Sequence, residues 1–299
     1  MRDRTKEMNM LKDTIKIFAQ GYYEKNGKKI KLKLSKEKRE EIQVYLPDAV
    51  ASNANREDFN PPFVSGVRCG HGCENKDSFT LARERLKHIN LFTAGDPGIL
   101  VLNLASPVNP GGGVRRGARA QEEDLCRKSS LLFSLESKTA RKYYGYNKSL
   151  NTQMGSDALM ISPNVEIIKD ENGELLDDTV IVSVLTCAAP RIKRGKEGLS
   201  DKAYEDLFYN RIMNMLKCVA YLEYKHLVLG AWGCGAFGND AHVVSDLFYK
   251  ALTEINYNNH TEKDLFRRID FAVLDRTGDQ YNFREFYRNF GVDEGSTGI

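Results

Sequence analysis

The order of apolar and polar positions along the chain predicts alternating helices and strands. Nearly continuous apolar runs at residues 99–105, 179–188 and 226–232 are typical of strands that are covered on both faces. Further strands are expected near residues 158–168 and 268–274, and helices near 78–89, from about 120, and at 201–223, 240–256 and 280–290. This alternation favours the α/β class.

A different pattern precedes this alternation. Four apolar residues are spaced for one helical face, namely Met8, Leu11, Ile15 and Phe18. Gly21 predicts the end of that helix, and the run from Ile30 to Leu34 alternates with lysines as a half-exposed strand does. Residues 46–77 are rich in Asn, Asp, Pro and Gly and predict loops. Without a convincing linker, we expect one domain over residues 1–299, with residues 1–60 as an N-terminal extension packed on it.

The composition is that of a folded globular protein. The chain has 299 residues, 41% of them hydrophobic and 28% charged, which excludes collagen-like, disordered and disulfide-scaffold classes. Its apolar runs are too short to span a membrane, and charges alternate at the N-terminus where a secretory signal needs an apolar segment. Six scattered cysteines are typical of reduced thiols. These features predict a cytoplasmic protein without a membrane partner.

The charge is concentrated near the N-terminus. The whole chain carries only +3, too little to require a nucleic-acid partner. Residues 1–40, however, hold 13 basic and 6 acidic side chains. A solvated basic surface is the favoured interpretation, and guidance of a polyanion toward a site elsewhere is the alternative.

A first glycine-rich loop lies between a buried strand and a helix, where open α/β sheets bind ligands. It contains Gly111, Gly112 and Gly113 in succession, so a ligand could approach the backbone closely. Neither a Walker motif nor the order of a dinucleotide-binding loop is present. A flexible turn is the alternative interpretation of the glycines alone.

Three polar residues follow this loop at the start of the next helix, namely Gln121, Glu122 and Glu123. Adjacent helical residues point about 100° apart, so the two glutamates should differ in role. We expect one to face the ligand while the other braces it or binds a neighbouring hydroxyl. A glutamate can protonate a leaving oxygen and then activate water, which is the chemistry of glycosidic bond hydrolysis.

A second loop, at residues 229–244, is also rich in glycine. Its glycines are Gly230, Gly233, Gly235 and Gly238. The following helix offers N–H groups to an anion. We expect Trp232 to pack in the core and Phe237 to contact a ribose or a base. Two such loops and one acidic motif predict a diphosphate ligand that carries a scissile sugar bond.

The segment GGGVRRGARAQEE resembles the GGG-x(6–8)-QEE signature of the microbial-type poly(ADP-ribose) glycohydrolases, with seven residues between Gly113 and Gln121. ISPNVEIIKDENGELL, VLTCAAP, LGAWGCGAFGND and FAVLD also resemble that family. The resemblance implies a macrodomain-like three-layer α/β/α sandwich with a mixed central sheet. It further implies ADP-ribose binding with no metal and no cofactor.

The resemblance also implies roles for individual residues. By position, Glu123 corresponds to the acid/base that breaks the ribose–ribose bond of poly(ADP-ribose), and Glu122 to the partner that holds ribose hydroxyls. The implied substrate contacts are Asn109, Gly111, Gly112, Gly113, Gln121, Gly233, Cys234, Gly235, Ala236 and Phe237. Whether Gly238 and Asn239 touch the ligand or only shape the loop stays open.

Three functions fit these motifs. The first is hydrolysis of poly(ADP-ribose) to ADP-ribose, and the second is hydrolysis of mono-ADP-ribosyl linkages on protein or nucleic acid. The third is an ADP-ribose reader without turnover, against which the intact QEE motif counts. The implied partners are poly(ADP-ribose) or ADP-ribosylated macromolecules, with ADP-ribose as product and no required contact to nucleic acid itself.

Other residues carry weaker signals. Cys69, His71 and Cys73 resemble part of a zinc site, but no second cluster of suitable spacing follows, and a glycine-rich loop is the favoured interpretation. We expect the remaining polar candidates to be solvated or packed rather than catalytic, namely Arg115, Arg116, His226 and His242.

Overall fold

The computed structural model describes residues 3–61, 69–88 and 98–291. Residues 62–68 of the expected loop and residue 89 of the expected helix lie outside the described residues. The helices are α1 (Thr5–Gln20), α2 (Lys36–Glu40), α3 (Pro47–Ala54), α4 (Ser78–Leu86), α5 (Gln121–Lys128), α6 (Leu131–Leu135), α7 (Arg141–Ser149), α8 (Asp201–Tyr221), α9 (Ala241–Glu254), α10 (Glu262–Leu265) and α11 (Tyr281–Phe290). Within the described residues, none of them is long and apolar enough to cross a bilayer.

The strands form a central mixed sheet and a separate hairpin. They are β1 (Tyr22–Lys25), β2 (Lys28–Lys31), β3 (Gln43–Tyr45), β4 (Gly70–Glu74), β5 (Ile99–Leu104), β6 (Leu159–Lys169), β7 (Leu175–Cys187), β8 (His226–Leu229) and β9 (Arg268–Ala272). The order in the large sheet is β3-β6-β7-β5-β8-β9-β4, with β1 and β2 paired apart from it. Strands β7, β5, β8, β9 and β4 run parallel, whereas β3, β6 and β7 pair antiparallel. The carboxyl ends of β5 and β8 therefore open at the same edge.

Side chains that alternate along the central strands pack into two separate hydrophobic cores, one on each face of the sheet. In β5, Ile99 and Val101 pack in a cluster that includes residues of α4 to α7, whereas Leu100 and Leu102 pack with residues of α8, α9 and α11. A strand that is apolar on both faces is expected where helices cover both sides of a sheet. The three-layer α/β/α architecture with a mixed central sheet is thus confirmed.

The N-terminal segment contributes to both the sheet and the helical layers. Helix α1 ends at Gly21, whose φ of 79° is left-handed, as the sequence predicts. The strand expected around Ile30 is β2, the second strand of the hairpin. Strand β3 pairs with β6 at the edge of the large sheet. The boundary of the extension at residue 60 stays a prediction.

The loop prediction for residues 46–77 is wrong for two elements. Helix α3 begins at Pro47, whose fixed φ suits a first helical turn, and it buries Val50 and Ala54 one turn apart. Strand β4 contains Gly72, where a Cβ would overlap the Asp270 carboxylate of the neighbouring strand. Glycine is therefore present to make room for a charged neighbour, and not because the chain turns.

We predict that Glu166 holds the extension to the sheet. Its fully buried carboxylate accepts hydrogen bonds from the Lys33 amide at 2.7 Å, the Leu34 amide at 3.3 Å and the Thr179 hydroxyl at 2.7 Å. Glu166→Ala should lower the free energy of unfolding by about 3 kcal/mol, because several donors lose their partner. Urea denaturation measures this, with the exposed Glu205→Ala as control. Equal stability of the two variants would contradict the assignment.

Candidate active site

A cavity of about 520 Å³ opens at the carboxyl ends of the parallel strands. Residues of the first loop, of the second loop and of α1 line it. The lining includes eight of the twelve predicted catalytic and substrate-binding residues, namely Gly112, Gln121, Glu122, Glu123, Gly233, Gly235, Ala236 and Phe237. It does not include Asn109, Gly111, Gly113 or Cys234. The structure therefore brings both glycine loops and both glutamates to one site.

The Glu122 carboxyl group lies at the inner wall and is almost fully buried. Its Oε2 accepts a hydrogen bond from the Ser106 amide at 2.8 Å, and its Oε1 lies 3.5 Å from the Asn103 side-chain amide. Burial raises the pKa of Glu122 to about 8, the charge of Glu123 adding to the effect and the Ser106 amide opposing it. Glu122 is therefore protonated at neutral pH.

The two carboxylate oxygens of the neighbouring Glu123 differ in their hydrogen bonding. Its Oε1 accepts a hydrogen bond from the Gly113 amide at 2.7 Å. Its Oε2 is buried and has no hydrogen-bond partner among the residues that the structure describes. Buried polar atoms are nearly always satisfied, so an unsatisfied oxygen on a residue that lines the cavity is a candidate for a ligand contact. The two glutamates thus differ in environment, and the expected difference in their roles stays a prediction.

The glycines of the first loop make room mainly for protein atoms. A Cβ on Gly112, whose φ is +60°, would overlap the Glu123 carboxylate and lie 2.9 Å from Glu122 Oε2. A Cβ on Gly111 would lie 2.7 Å from Leu132 Cδ1. Of the three, Gly112 alone lines the cavity, so the triple glycine admits the two carboxyl groups and a core leucine rather than forming a continuous wall against a ligand.

The side chain of Gln121 fixes the start of α5. Its Nε2 donates to the Leu102 carbonyl at 2.7 Å and to Ser78 Oγ at 3.0 Å, while its Oε1 accepts from the Leu104 amide at 2.9 Å. These bonds join α5 to the end of β5 and to α4. Although Gln121 lines the cavity, its amide group is engaged in holding the glutamates in place.

Asn239 determines the shape of the second loop. Its Nδ2 donates to the carbonyls of Gly233 and Pro190, both at 2.9 Å, and its Oδ1 accepts from the Tyr204 hydroxyl at 2.6 Å. Gly233 has a φ of +79°, and a Cβ there would lie 2.7 Å from Ala189 Cβ. These hydrogen bonds favour a shaping role for Asn239, one of the two roles left open by the sequence.

The remaining residues of this loop divide between core and cavity. Trp232 is buried and donates through Nε1 to the Cys187 carbonyl at 3.2 Å, so its predicted core role is confirmed. Phe237 is partly exposed in the cavity, with the Arg191 guanidinium 6.0 Å from its ring centre. A Cβ on Gly235 would meet nothing within 4 Å. This part of the loop therefore presents an apolar ring and an open stretch of backbone to a ligand.

Helix α1 supplies a side of the cavity that sequence reasoning missed. Lys6, Glu7 and Met10 line it, and Arg119 of the first loop forms an ion pair of 2.6 Å with Glu7. The signal available in the sequence was the excess of basic residues near the N-terminus. Asn103 was also missed, although a polar residue inside the apolar run ILVLNL was a visible exception.

Several weaker candidates lie away from the site. Arg115 forms a bidentate ion pair with Glu136, with distances of 2.7 to 2.9 Å, and it remains mostly exposed. His242 is exposed and lies 2.8 Å from Glu285. These residues and His226 do not line the cavity, which agrees with the expectation that they are not catalytic.

The fold and the site together define a class of protein. A macrodomain-like sandwich with two glycine-rich loops at one sheet edge and a pair of buried carboxyl groups fits a glycosidase that acts on a nucleotide-linked sugar. Residues 11–170 match the family described as microbial-type PARG, catalytic domain. The chain belongs to this family of poly(ADP-ribose) glycohydrolases, and the resemblance found in the sequence is confirmed. Comparison with curated proteins gives no match.

Solved structures of relatives share the fold over nearly the whole chain. The glycohydrolase from Thermomonospora curvata is 26% identical, with a TM-score of 0.83 over 95% of this chain and 99% of that chain. Its complex with the inhibitor ADP-HPD has a TM-score of 0.80 at 27% identity, with the same shares covered. The glycohydrolase from Deinococcus radiodurans in complex with ADP-ribose is 32% identical, with a TM-score of 0.70 over 85% of this chain and 95% of that chain.

The raised pKa of Glu122 predicts a dependence of stability on pH. Between about pH 4.5 and about pH 8 the folded protein binds a proton at Glu122 that the unfolded chain releases. The free energy of unfolding should therefore fall as pH rises through this window, with a slope of at most about 1.4 kcal/mol per pH unit from this group. Glu122→Gln should remove that slope in urea denaturation at several pH values. Glu205→Gln should keep the wild-type slope, and parallel curves for both variants would refute the assignment.

Proposed function

We propose that Glu123 is the general acid/base with which this glycohydrolase cleaves the ribose–ribose O-glycosidic bonds of poly(ADP-ribose) and releases ADP-ribose. The observation that carries the proposal is the buried Glu123 Oε2, which has no partner in the described part of the chain and belongs to a residue that lines the cavity. The complex of the Deinococcus radiodurans relative with ADP-ribose supports ADP-ribose as the product here.

The reaction requires one group that first donates and then accepts a proton. Glu123 would protonate the leaving ribose oxygen as the bond to the anomeric carbon breaks and positive charge develops on the sugar. The resulting carboxylate would then take a proton from the water that attacks the anomeric carbon. The Gly113 amide at Oε1 orients the carboxyl group throughout.

Glu122 would hold the substrate rather than transfer a proton. Both of its oxygens already face donors of the protein, the Asn103 side chain and the Ser106 amide. A protonated carboxyl group can donate one hydrogen bond and still accept others. Glu122 is therefore suited to bind ribose hydroxyls beside the scissile bond, and its lack of charge avoids repulsion with Glu123.

The second loop would bind the diphosphate and the distal ribose. Its backbone is open at Gly235, and Phe237 provides an apolar face for a sugar. No metal or cofactor is needed for this mechanism, since a carboxyl group supplies the proton and water is the nucleophile. The partners would be poly(ADP-ribose) or ADP-ribosylated macromolecules, and the six free cysteines support a cytoplasmic location.

Replacing Glu123 by glutamine tests the catalytic assignment. Glutamine keeps the size of the side chain but has no transferable proton, so turnover should fall by roughly 100-fold or more while ADP-ribose still binds. Release of ADP-ribose from poly(ADP-ribose) and calorimetric titration with ADP-ribose measure the two effects. Glu122→Gln should weaken substrate affinity more than Glu123→Gln does.

The exposed Glu205→Gln variant, which makes the same chemical change outside the cavity, should retain wild-type turnover. Wild-type turnover in Glu123→Gln would contradict the proposed mechanism. A wild-type chain that releases ADP-ribose only from mono-ADP-ribosylated substrates would favour the second function, and binding without any turnover would favour a reader.

A valine at Gly235 tests the ligand site. The branched side chain would enter the open cavity, so ADP-ribose affinity should fall by at least about 100-fold while the thermal midpoint changes little. Gly145→Val is the matched control, because a Cβ there also meets nothing within 4 Å and the residue lies in α7, outside this cavity. Titrations with and without a chelator should agree, and unchanged affinity in folded Gly235→Val would place the ligand elsewhere.

A further inference from the structure

Three side chains of the kinds that bind metal ions lie close together at the end of the sheet opposite the active site. Cys69 Sγ and ligand atoms of His71 and Glu262 all lie within 4.8 Å of one another. Cys69 immediately precedes β4 and His71 belongs to it, and residues two apart on an extended chain point to the same side. Glu262 begins α10, the short helix that leads into β9, the strand that pairs with β4.

We propose that Cys69, His71 and Glu262 bind one zinc ion, with water as the fourth ligand. A thiolate, an imidazole and a carboxylate are the three kinds of side chain that zinc takes, at bond lengths of about 2.0 to 2.3 Å. Such bonds place ligand atoms about 3 to 4 Å apart. His71 Nε2 and Glu262 Oε1 are hydrogen-bonded at 2.6 Å, so zinc would replace that hydrogen bond with a bond to each atom after small side-chain movements. Sulfur and nitrogen donors disfavour calcium and magnesium, which prefer oxygen.

The charge of the cluster also suits a divalent ion. A thiolate and a carboxylate together neutralise zinc, so a site that is buried at Cys69 and half-buried at His71 and Glu262 would carry no net charge. Zinc binding would release the thiol proton to solvent. The nearby Arg268 guanidinium does not occupy the site, because it is bonded to Asp270 at 2.8 and 2.9 Å.

The position of the cluster indicates a structural role. Strand β4 is the edge of the large sheet and has β9 as its sole neighbour in the described sheet. Lys76 and Asp77, which line the active-site cavity, follow the carboxyl end of β4, whereas Cys69 precedes its amino end. Zinc would therefore tie the edge strand to α10 without touching the reacting groups. The glycine-rich segment around His71 would be a metal-stabilised strand.

Zinc binding to the chelator-treated full chain tests the proposal. We expect one zinc ion per chain, a thermal midpoint raised by about 5 °C at a zinc concentration 100 times the Kd, and unchanged ADP-ribose binding. Cobalt in place of zinc should give a thiolate-to-metal charge-transfer band. Cys69→Ser should abolish that band, and Glu262→Gln should weaken zinc affinity by at least about 10-fold.

Cys73→Ser is the matched control, since Cys73 is a buried cysteine in β4, four residues after Cys69 and outside the cluster. It should keep the band and the wild-type affinity. If circular dichroism shows that Cys69→Ser does not fold, the zinc affinity of Glu262→Gln is compared with that of Cys73→Ser instead. A wild-type chain that binds no zinc, or equal affinity in Glu262→Gln and Cys73→Ser, overturns the proposal.

Discussion

Two carboxyl groups on adjacent residues are buried side by side at the start of α5, and the surrounding backbone is arranged to accept them. A buried carboxyl group needs hydrogen-bond donors or a proton, and two together repel each other if both are ionised. The Ser106 amide serves Glu122 and the Gly113 amide serves Glu123. Gly112 lacks a side chain because the two carboxyl groups occupy that space. The glycine-rich loop is thus shaped first by the glutamates and only then by a ligand.

The same constraint explains why α5 is held from several sides. Gln121 joins its first turn to β5 and α4. Near its last turn, the Arg127 side chain donates to the Ala118 carbonyl at 2.5 Å, and the Thr14 hydroxyl of α1 donates to the Arg127 carbonyl at 2.5 Å. These hydrogen bonds fix the position of the helix that carries both buried glutamates, and a displacement of about 1 Å is enough to disturb the geometry of a site. Helix α1 therefore supports the site as well as lining it.

The sequence was sufficient for the α/β class and for most of the residues that line the candidate site, because long buried strands and glycine-rich loops leave strong local patterns. It was insufficient where distant residues decide the conformation. From the sequence alone Gly72 is interpreted as a loop residue. Only the structure shows that Asp270, paired with Arg268 on the neighbouring strand, occupies the space that a side chain at Gly72 would need. Gly111 is read as a ligand contact until Leu132 is seen to fill the space beside it. The proximity of Glu262 to Cys69 likewise arises only from parallel pairing of β4 with β9.

Adjacent glutamates acquire different chemistry from their surroundings rather than from their identity. Glu122 points toward the Asn103 side chain and the Ser106 amide, and burial raises its pKa to about 8. Glu123 meets one amide and retains one oxygen without a partner among the described residues. Since both carboxyl groups lie in one desolvated pocket, a proton held at Glu122 removes the repulsion that two charged carboxylates would have there. The two glutamates can therefore be buried side by side because one of them is neutral.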